Sequence, residues 1–302
     1  MYKLVIVGTI VSMAAASHPI NADMIKQIQE RTSLWTTHDV DTNPLANYTH
    51  DQLLGMLGTY IVPSNKIYPD STIVGDLPAN FDARTQWGAK VHPIRDQASC
   101  GSCWAFGASE AFSDRLAIAG GQDIVFSPQD MVSCDTNDYG CQGGYMDMAW
   151  EYIAEKGLVS EACFPYKSQS GVAPACATSC VDGSAFTKHS CAAGSITQSK
   201  SVESIKSEIF AHGPVEAAFT VYEDFFTYST GVYHHVSGGV AGGHAIKLLG
   251  FGTENGTPYW LAANSWGSGW GMSGFFKIQQ GDCGIEDQVF SCTPNLAGTP
   301  IQ

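Results

Sequence analysis

The chain has 302 residues, of which 44% are hydrophobic and 15% charged. A chain of this composition can bury a substantial core, which excludes a disordered protein. Its 29 acidic and 15 basic residues leave a formal net charge of −14. That charge disfavours a surface that binds nucleic acid or anionic lipid, so we expect no nucleic-acid partner.

The first 16 residues have the pattern of a secretory signal peptide. Lys3 precedes an apolar run over residues 4–11, and the small residues Ala14, Ala15 and Ala16 follow. The run is shorter than the roughly 20 residues that a membrane-spanning helix needs, so we expect no membrane anchor. The pattern predicts cleavage after Ala16 and entry into the secretory pathway, with secretion or a lysosome-like vacuole as the destination.

Residues 17–76 form a segment without cysteine, whereas all ten cysteines lie at Cys100 or beyond it. Asn21 can cap a short helix, and Thr49 with Gln52 has the spacing of a capping box before a second helix. Two amphipathic helices on about 60 residues make a poor independent core. We therefore expect a removable pro-segment over residues 17–76, which folds against a mature domain over residues 77–302.

Helical patterns dominate the chain from residue 77 to about residue 215, and strand patterns follow. Helices are predicted from Cys103 to Gly120, from Ser127, over 146–156 and over 201–212. Short runs of branched and aromatic residues predict strands over 215–221, 231–236, 244–251, 258–263 and 274–278. These patterns therefore predict an α+β fold class, with a helical N-terminal lobe, a C-terminal lobe of strands and an active site in the cleft between them.

Cys103 lies where a glycine-containing loop gives way to a predicted helix. The first turn of a helix stabilises a thiolate, which is the nucleophilic form of cysteine. His244, far downstream, can take the thiol proton, and Asn264 can accept a hydrogen bond from the other ring nitrogen. Gln97, shortly before Cys103, can stabilise the oxyanion of a tetrahedral intermediate together with the Cys103 N–H group.

Cys100 and Cys103 also have the C-x-x-C spacing of a thiol–disulfide oxidoreductase, which is the alternative function. No βαβ pattern surrounds this pair, and Cys141, in a glycine-rich stretch, is another partner for Cys100. A zinc site built on the two cysteines and a remote histidine would lack a second close ligand pair. We therefore favour the nucleophile and expect neither a metal nor another cofactor.

Several motifs are similar to those of the papain family of cysteine proteases, and others resemble its cathepsin B branch. The papain-like motifs are Gln97, 100–104, 143–144, 243–245 and 264–267, and the cathepsin B-like runs are 77–84, 213–216, 243–246, 254–261 and 283–286. The resemblance covers residues 77 to about 292 and extends to the short segment with Trp35. It implies a papain-like two-lobed fold with a β-barrel-like C-terminal lobe, endoproteolysis of protein or peptide substrates, and a pro-segment that lies along the cleft as an inhibitor.

The resemblance also implies disulfides and substrate-binding positions. The disulfides are Cys100–Cys141, Cys134–Cys176 and Cys163–Cys180. Of the three cysteines that remain besides Cys103, we pair Cys191 with Cys292 and leave Cys283 free, because the family runs a strand after the first position beside the C-terminal strand. The substrate-binding positions are Gly143, Gly144, Tyr145, Met146, Ala218, Ala245, Trp266 and Gln288.

Two departures from the cathepsin B pattern affect specificity. In that branch an insertion with two histidines closes one end of the cleft and makes the enzyme a dipeptidyl carboxypeptidase. Here residues 167–175, between Tyr166 and Cys176, contain no histidine, so we predict an open primed side and little release of C-terminal dipeptides. Gln288 stands where cathepsin B has a glutamate at the base of the S2 pocket, so an apolar P2 residue should be preferred to arginine.

Together these features predict a monomeric cysteine endopeptidase that is made as a secreted or vacuolar zymogen and acts through a thioester acyl-enzyme. Two related interpretations concern an acyl transferase and an inactive homologue. The same acyl-enzyme can be attacked by an amine instead of water, and the residues do not distinguish the two acceptors. An inactive binding homologue is disfavoured, because every catalytic position holds a reactive residue type.

Overall fold

The structure is a computed structural model that describes residues 18–296. The predicted signal peptide, residues 1–16, lies outside the described residues. The α-helices of the described part are α1 (Ala22–Arg31), α2 (His50–Gly55), α3 (Ala83–Trp87), α4 (Cys103–Ile118), α5 (Pro128–Cys134), α6 (Met146–Glu155) and α7 (Val202–His212). None of the helices within residues 18–296 is long and apolar enough to cross a membrane.

The strands are β1 (Trp35–Thr37), β2 (Phe81–Asp82), β3 (Thr197–Ser199), β4 (Val215–Tyr222), β5 (Tyr228–Tyr233), β6 (Val240–Glu254), β7 (Thr257–Ala263), β8 (Phe275–Gln279) and β9 (Gln288–Ser291). They form one sheet in the order β1-β5-β8-β7-β6-β4-β9-β3, and β2 pairs with β6 off this path. All the pairs are antiparallel except the parallel pair β5 and β8.

The sheet is open, which corrects the expectation of a β-barrel-like lobe. Strands β1 and β3 lie at the two ends of the sheet, and within residues 18–296 they do not pair with each other. A barrel requires every strand to have two paired neighbours. Here the two end strands have three residues each, so they terminate the hydrogen-bonded ladder instead of closing it.

Helix α4 passes through the interior, and its residues from Cys103 to Ala117 are all buried. Helices α5 and α6 pack against it and complete one apolar core around Trp104, Phe112 and Trp150. A second core lies on the sheet. Ala218 and Ala245 belong to the sheet but lie in the helical core, so β4 and β6 face α4 across the boundary between the lobes.

The N-terminal segment folds against the sheet, as its small apolar content predicted. Asn21 caps α1 by accepting a hydrogen bond from the N–H of Met24, and Thr49 and Gln52 form the predicted capping box of α2. Most of the buried apolar residues of this segment belong to the same core as the sheet, whereas Tyr68 lies in the helical core. Those in the core of the sheet are Ile20, Met24, Ile28, Trp35, Leu45, Leu53 and Met56. Strand β1 adds to the edge of the sheet by pairing with β5. The segment therefore depends on the rest of the chain for its core.

Four disulfides link the chain, and they are the pairs expected from the resemblance and from our assignment of Cys191. They join Cys100 to Cys141, Cys134 to Cys176, Cys163 to Cys180, and Cys191 to Cys292. Cys103 and Cys283 are the free thiols of the described part of the chain. Because Cys100 is bonded to Cys141, it is not a disulfide partner for Cys103, which follows three residues later.

Candidate active site

Cys103 is the first residue of α4, at the position predicted from its sequence context. Its side chain is completely buried. Its Sγ atom lies 3.0 Å from Oγ1 of Thr59 and accepts a hydrogen bond from the N–H group of Gly58 at 3.3 Å. Both partners come from the N-terminal segment, so in this form of the protein that segment covers the thiol.

His244 lies on β6, and Asn264 directly follows the neighbouring strand β7. The Nε2 atom of His244 is 2.8 Å from Oδ1 of Asn264. The same oxygen accepts a hydrogen bond from the N–H group of Ser265 at 2.8 Å, which identifies it as the acceptor and the histidine as the donor. The neutral ring therefore carries its proton on Nε2 and its free lone pair on Nδ1.

The Nδ1 atom of His244 is buried and has no hydrogen-bond partner among the described residues. Trp266 packs over the imidazole, with ring centroids 4.8 Å apart. The ring is thus held by a hydrogen bond on one nitrogen and by an aromatic contact, while the other nitrogen is left available to accept a proton. A held tautomer with a bare nitrogen is the arrangement that a general base needs.

Burial changes the protonation of both groups. It raises the pKa of the Cys103 thiol, and the hydrogen bonds from the N-terminal segment only partly offset this effect. Burial also lowers the pKa of His244 to about 4, against the smaller effect of the hydrogen bond to Asn264. The sequence predicted a thiolate at the helix start, but desolvation outweighs the helix in this covered form, and both groups are neutral near pH 7.

Gln97 is buried against the loop that precedes α4, and both ends of its amide form hydrogen bonds. Its Nε2 donates hydrogen bonds to the carbonyl oxygens of Met56 and Cys100, each at 2.8 Å. Its Oε1 accepts a hydrogen bond from Oγ of Ser265 at 2.6 Å, which fixes the orientation of the amide. The carbonyl of Met56 thus lies where the predicted oxyanion donor points.

Residues 58–62 of the N-terminal segment run through the cleft between the lobes and contact both walls. On one wall, Gly58 accepts a hydrogen bond from Gly144 at 2.8 Å, and Tyr60 donates one back to Gly144 at 2.9 Å. On the other wall, the N–H of Thr59 donates to the carbonyl of Gly243 at 3.1 Å. A peptide backbone therefore already occupies the cleft.

Glycine is required where this backbone passes the loop before α4. A Cβ atom built on Gly58 would lie 1.9 Å from the carbonyl oxygen of Gly101, well inside a van der Waals contact. Gly243 has the same constraint, because its Cβ atom would lie 2.1 Å from the carbonyl oxygen of Thr59. The segment fits the cleft only because both surfaces lack side chains at these points.

Most of the predicted substrate-binding residues surround the same five residues of the segment. Ile61 packs against the core that contains Met146, Ala218 and Ala245. Gln288 donates a hydrogen bond from Nε2 to the carbonyl of Val62. The ring of Tyr145 lies 5.0 Å from that of Tyr60, and Gly143 adjoins Gly58. Trp266 is placed differently, since it packs on His244 and Phe226.

Sequence reasoning did not single out Thr59, Gly58 or Ser265 as site residues. Thr59 and Gly58 reach Cys103 from more than 40 positions earlier in the chain, and no local pattern encodes that contact. Ser265 belongs to the run from Asn264 to Gly267, which was noted for its asparagine. Its proximity to a predicted site residue was the available signal.

Comparison with known proteins agrees with this architecture. Residues 77–293 match the papain family of cysteine proteases. The chain therefore belongs to that family, and it is a cysteine protease of the cathepsin B-like type. It is 46% identical over 242 residues to a gut-specific cysteine proteinase of Caenorhabditis elegans, covering 72% of this chain and 74% of that protein. It is also 40% identical over 270 residues to cathepsin B of Dictyostelium discoideum, covering 84% and 86% of the two chains.

A solved precursor structure resembles most of the chain. Procathepsin B S9 from Trypanosoma congolense superposes with a TM-score of 0.86 at 30% identity, covering 92% of this chain and 100% of that chain. Since that protein is a precursor, the likeness extends to a zymogen arrangement.

Proposed function

We propose that the mature protein is a cysteine endopeptidase in which Cys103 is the nucleophile and His244 the general base. Asn264 orients His244, and Gln97 is an oxyanion donor. The observation that carries the proposal is the hydrogen bond from His244 Nε2 to Asn264, which leaves Nδ1 bare beside a cleft that already holds a peptide backbone. The proposed catalytic groups therefore lie beside a peptide chain, which is the kind of molecule that the enzyme would cleave.

The chemistry needs one proton transfer before the attack. The thiol proton of Cys103 passes to Nδ1 of His244, and the thiolate sulfur then bonds to the carbonyl carbon of the scissile peptide. The carbonyl oxygen gains the negative charge and accepts a hydrogen bond from Gln97. When the intermediate collapses, the C–N bond breaks and His244 gives its proton to the leaving amine. Water then hydrolyses the thioester and restores the thiol.

We propose that residues 17–76 are a pro-segment and that residues 77–302 are the mature domain. Support for this boundary comes from the exposure of the connecting chain, where Thr72, Ile73, Gly75 and Asp76 are all exposed. An exposed connection is accessible to proteolysis. Residues 1–16 would direct the precursor into the secretory pathway, from which it is secreted or delivered to a lysosome-like vacuole, and we propose that it acts as a monomer.

We propose a preference for an apolar P2 residue. Ile61 supports it, because this apolar side chain of the segment packs against the core that contains Met146, Ala218 and Ala245. Gln288 offers an amide rather than a carboxylate on the same side of the cleft, where it donates to the carbonyl of Val62. An arginine at P2 would therefore find no ionic partner at this position.

An open primed side is proposed from the short segment 167–175. Both parts of this segment are held against α5: the N–H of Lys167 donates to Oε1 of Gln129 at 2.7 Å, and Oγ of Ser133 donates to the carbonyl of Pro174 at 2.8 Å. A segment held along α5 leaves little chain to close the cleft, which favours internal cleavage over removal of C-terminal dipeptides.

The oxidoreductase alternative requires Cys100 and Cys103 to exchange a disulfide between them. Cys100 is instead bonded to Cys141, and both residues are buried. Transfer of the acyl group to an amine stays open, because it uses the same thioester.

The two free thiols offer a matched test of the nucleophile. The protein matured from the full chain should hydrolyse a peptide amide with leucine at P2. Cys103→Ser should abolish this hydrolysis, whereas Cys283→Ser should leave kcat/KM within about twofold of the parent, as expected for a change outside the reacting groups. Retention of activity in Cys103→Ser would overturn the proposal.

A further inference from the structure

A buried charge cluster joins the helix of Cys103 to the strand of His244. Lys247 lies three residues after His244 on β6, and its Nζ is 2.7 Å from Oδ2 of Asp114 and 4.0 Å from Oε2 of Glu110. Both carboxylates belong to α4. All three side chains are nearly inaccessible, with exposures of 1% for Lys247, 0% for Asp114 and 5% for Glu110.

The geometry of the two elements directs this contact toward the site. Residues 103, 110 and 114 are seven and four positions apart, so they lie along one face of α4. On β6, Ala245 and Lys247 share the face toward the helical core, whereas Ile246 belongs to the core on the sheet. Lys247 therefore contacts the same face of α4 that carries Cys103. It lies two positions after Ala245 on β6.

We propose that Lys247 is a positioning residue that holds the strand of His244 against the helix of Cys103, and that the stability contributed by the buried cluster around Lys247 falls as pH rises. The inference rests on the proposed function, because it assigns the two elements to a nucleophile and its base. The buried cluster provides a pH-dependent connection between α4 and β6, which neither Cys103 nor His244 provides.

Two titratable groups make the tie depend on pH. Oε2 of Glu110 lies 4.0 Å from Nζ of Lys247, and Oε1 of Glu110 has no hydrogen-bond partner among the described residues. Burial raises the pKa of Glu110 to about 7, although Lys247 opposes this. His92 lies 2.7 Å from Asp114 through Nδ1 and 2.8 Å from Asp123 through Nε2. The hydrogen bond to Asp114 raises the pKa of His92 above its usual value.

The charges balance only in acid. With His92 protonated and Glu110 neutral, two cations face the two carboxylates of Asp114 and Asp123. Arg95 also faces Glu110, but it is paired with Glu161 at 2.6 Å. When the pH rises, Glu110 gains a negative charge and His92 loses its positive charge. The cluster then has one cation, Lys247, and three carboxylates, of which Lys247 contacts those of Asp114 and Glu110.

The sign of the effect is the same for both groups. A pKa that is raised on folding means that the folded state binds the proton more tightly than the unfolded state. The stability contributed by Glu110 is therefore complete below the unfolded pKa of about 4.5 and is lost as pH rises to about 7. The contribution of His92 is likewise complete below about pH 6.5 and is lost as pH rises through its higher folded value.

The test compares Glu110→Gln with the parent and with Glu208→Gln. Glu208 forms the buried pair with Arg115 of α4, and its carboxyl is held ionised by that partner and by His212, so it does not titrate near neutral pH. Melting temperatures of the full chain with Cys103→Ala, and kcat/KM of the matured enzyme, are measured between about pH 5 and pH 8.

We expect Glu110→Gln to reduce the fall in melting temperature with rising pH and to reduce the loss of kcat/KM over the same range by roughly threefold or more. Glu208→Gln should lower the melting temperature at every pH without changing that slope. Lys247→Met should lower kcat/KM at about pH 5 by roughly tenfold, and Lys247→Arg should restore most of it. A parental slope in Glu110→Gln would overturn the proposal. Because melting does not depend on hydrolysis, failure of the proposed protease function would leave this readout interpretable.

Discussion

Thr59 places its hydroxyl oxygen 3.0 Å from the sulfur of Cys103. The residue before it, Gly58, donates its N–H to the same sulfur at 3.3 Å. The N-terminal segment therefore does more than shield the cleft, because it surrounds the thiol and removes water from it. Burial raises the pKa of the thiol, and the hydrogen bonds from Thr59 and Gly58 offset only part of that rise.

Gly58→Ala should weaken inhibition by the N-terminal segment. The added Cβ atom would lie 1.9 Å from the carbonyl oxygen of Gly101, so residues near 58 must move out of the cleft. We expect the full chain to hydrolyse peptide substrate faster than the parent precursor and to mature faster. Gly55→Ala is the control, because a Cβ atom there meets nothing within 4 Å. Equal basal rates in the parent and in Gly58→Ala would contradict this account of inhibition.

Alkylation of Cys103 should report the covering segment. Burial raises the pKa of the thiol in the precursor, so less thiolate forms at a given pH, and the rate falls about tenfold for each unit of that rise. The rate of reaction with iodoacetamide, followed by peptide mapping between about pH 5 and pH 8, should be much slower for Cys103 in the precursor than after maturation. Equal rates in both forms would show that the segment does not protect the sulfur.

Asn264→Ala should reduce turnover more than binding. Without the acceptor at Oδ1, the His244 ring loses the bond that fixes its Nε2–H tautomer. We expect kcat to fall by about 100-fold, within the usual range for loss of general base function, while KM changes little. Initial rates over a range of peptide concentrations separate the two constants. A change confined to KM would place Asn264 in substrate binding instead of in orientation of the base.

Gln97→Ala should lower kcat by about 100- to 1000-fold if its amide stabilises the oxyanion. Its Nε2 now donates to the carbonyl of Met56, which is a ground-state mimic of that interaction. Gln122→Ala, at an exposed position, is the matched control and should have parental kinetics. If both variants were equally active, the oxyanion role would be wrong.

Gln288→Glu should change the P2 preference. A carboxylate at this position can pair with an arginine at P2, and a charge-assisted hydrogen bond is worth about 1.5 to 3 kcal/mol. We expect the ratio of kcat/KM for P2 arginine to that for P2 leucine to rise by at least about tenfold. Gln122→Glu adds the same charge at an exposed position and should leave the ratio unchanged. An unchanged ratio in Gln288→Glu would remove this residue from the S2 pocket.

The features that could be predicted from sequence are those with local signals. Caps at Asn21 and Thr49 and the helix that begins at Cys103 depend on neighbours within one turn, and the structure has them where expected. Strand β6 begins at Val240, four residues before the predicted start, because Gly242 and Gly243 have low strand propensity yet pair across the sheet. No residue pattern predicted strand β9, because its four residues acquire strand geometry from β4 and β3; only the family resemblance implied a C-terminal strand beside one that follows Cys191.

The features of the site also divide into those with a local sequence signal and those without one. The positions of Cys103, His244, Asn264 and Gln97 follow from residue types and motifs, and the structure brings His244 to Asn264 and Gln97 to the loop before α4. The protonation of the site could not be predicted, because it depends on burial by residues 58 and 59. Openness of the sheet likewise depends on which short strands reach its ends, and β1 comes from the N-terminal segment.

The central claim is that Cys103 cleaves peptide bonds within a chain, and product mapping tests it most directly. The matured enzyme is incubated with a mixture of peptides, and the products are identified by mass spectrometry beside those of Cys103→Ala. We predict internal cuts that follow an apolar P2 residue and that disappear in the variant. Products dominated by C-terminal dipeptides, or cuts that persist in Cys103→Ala, would contradict the account.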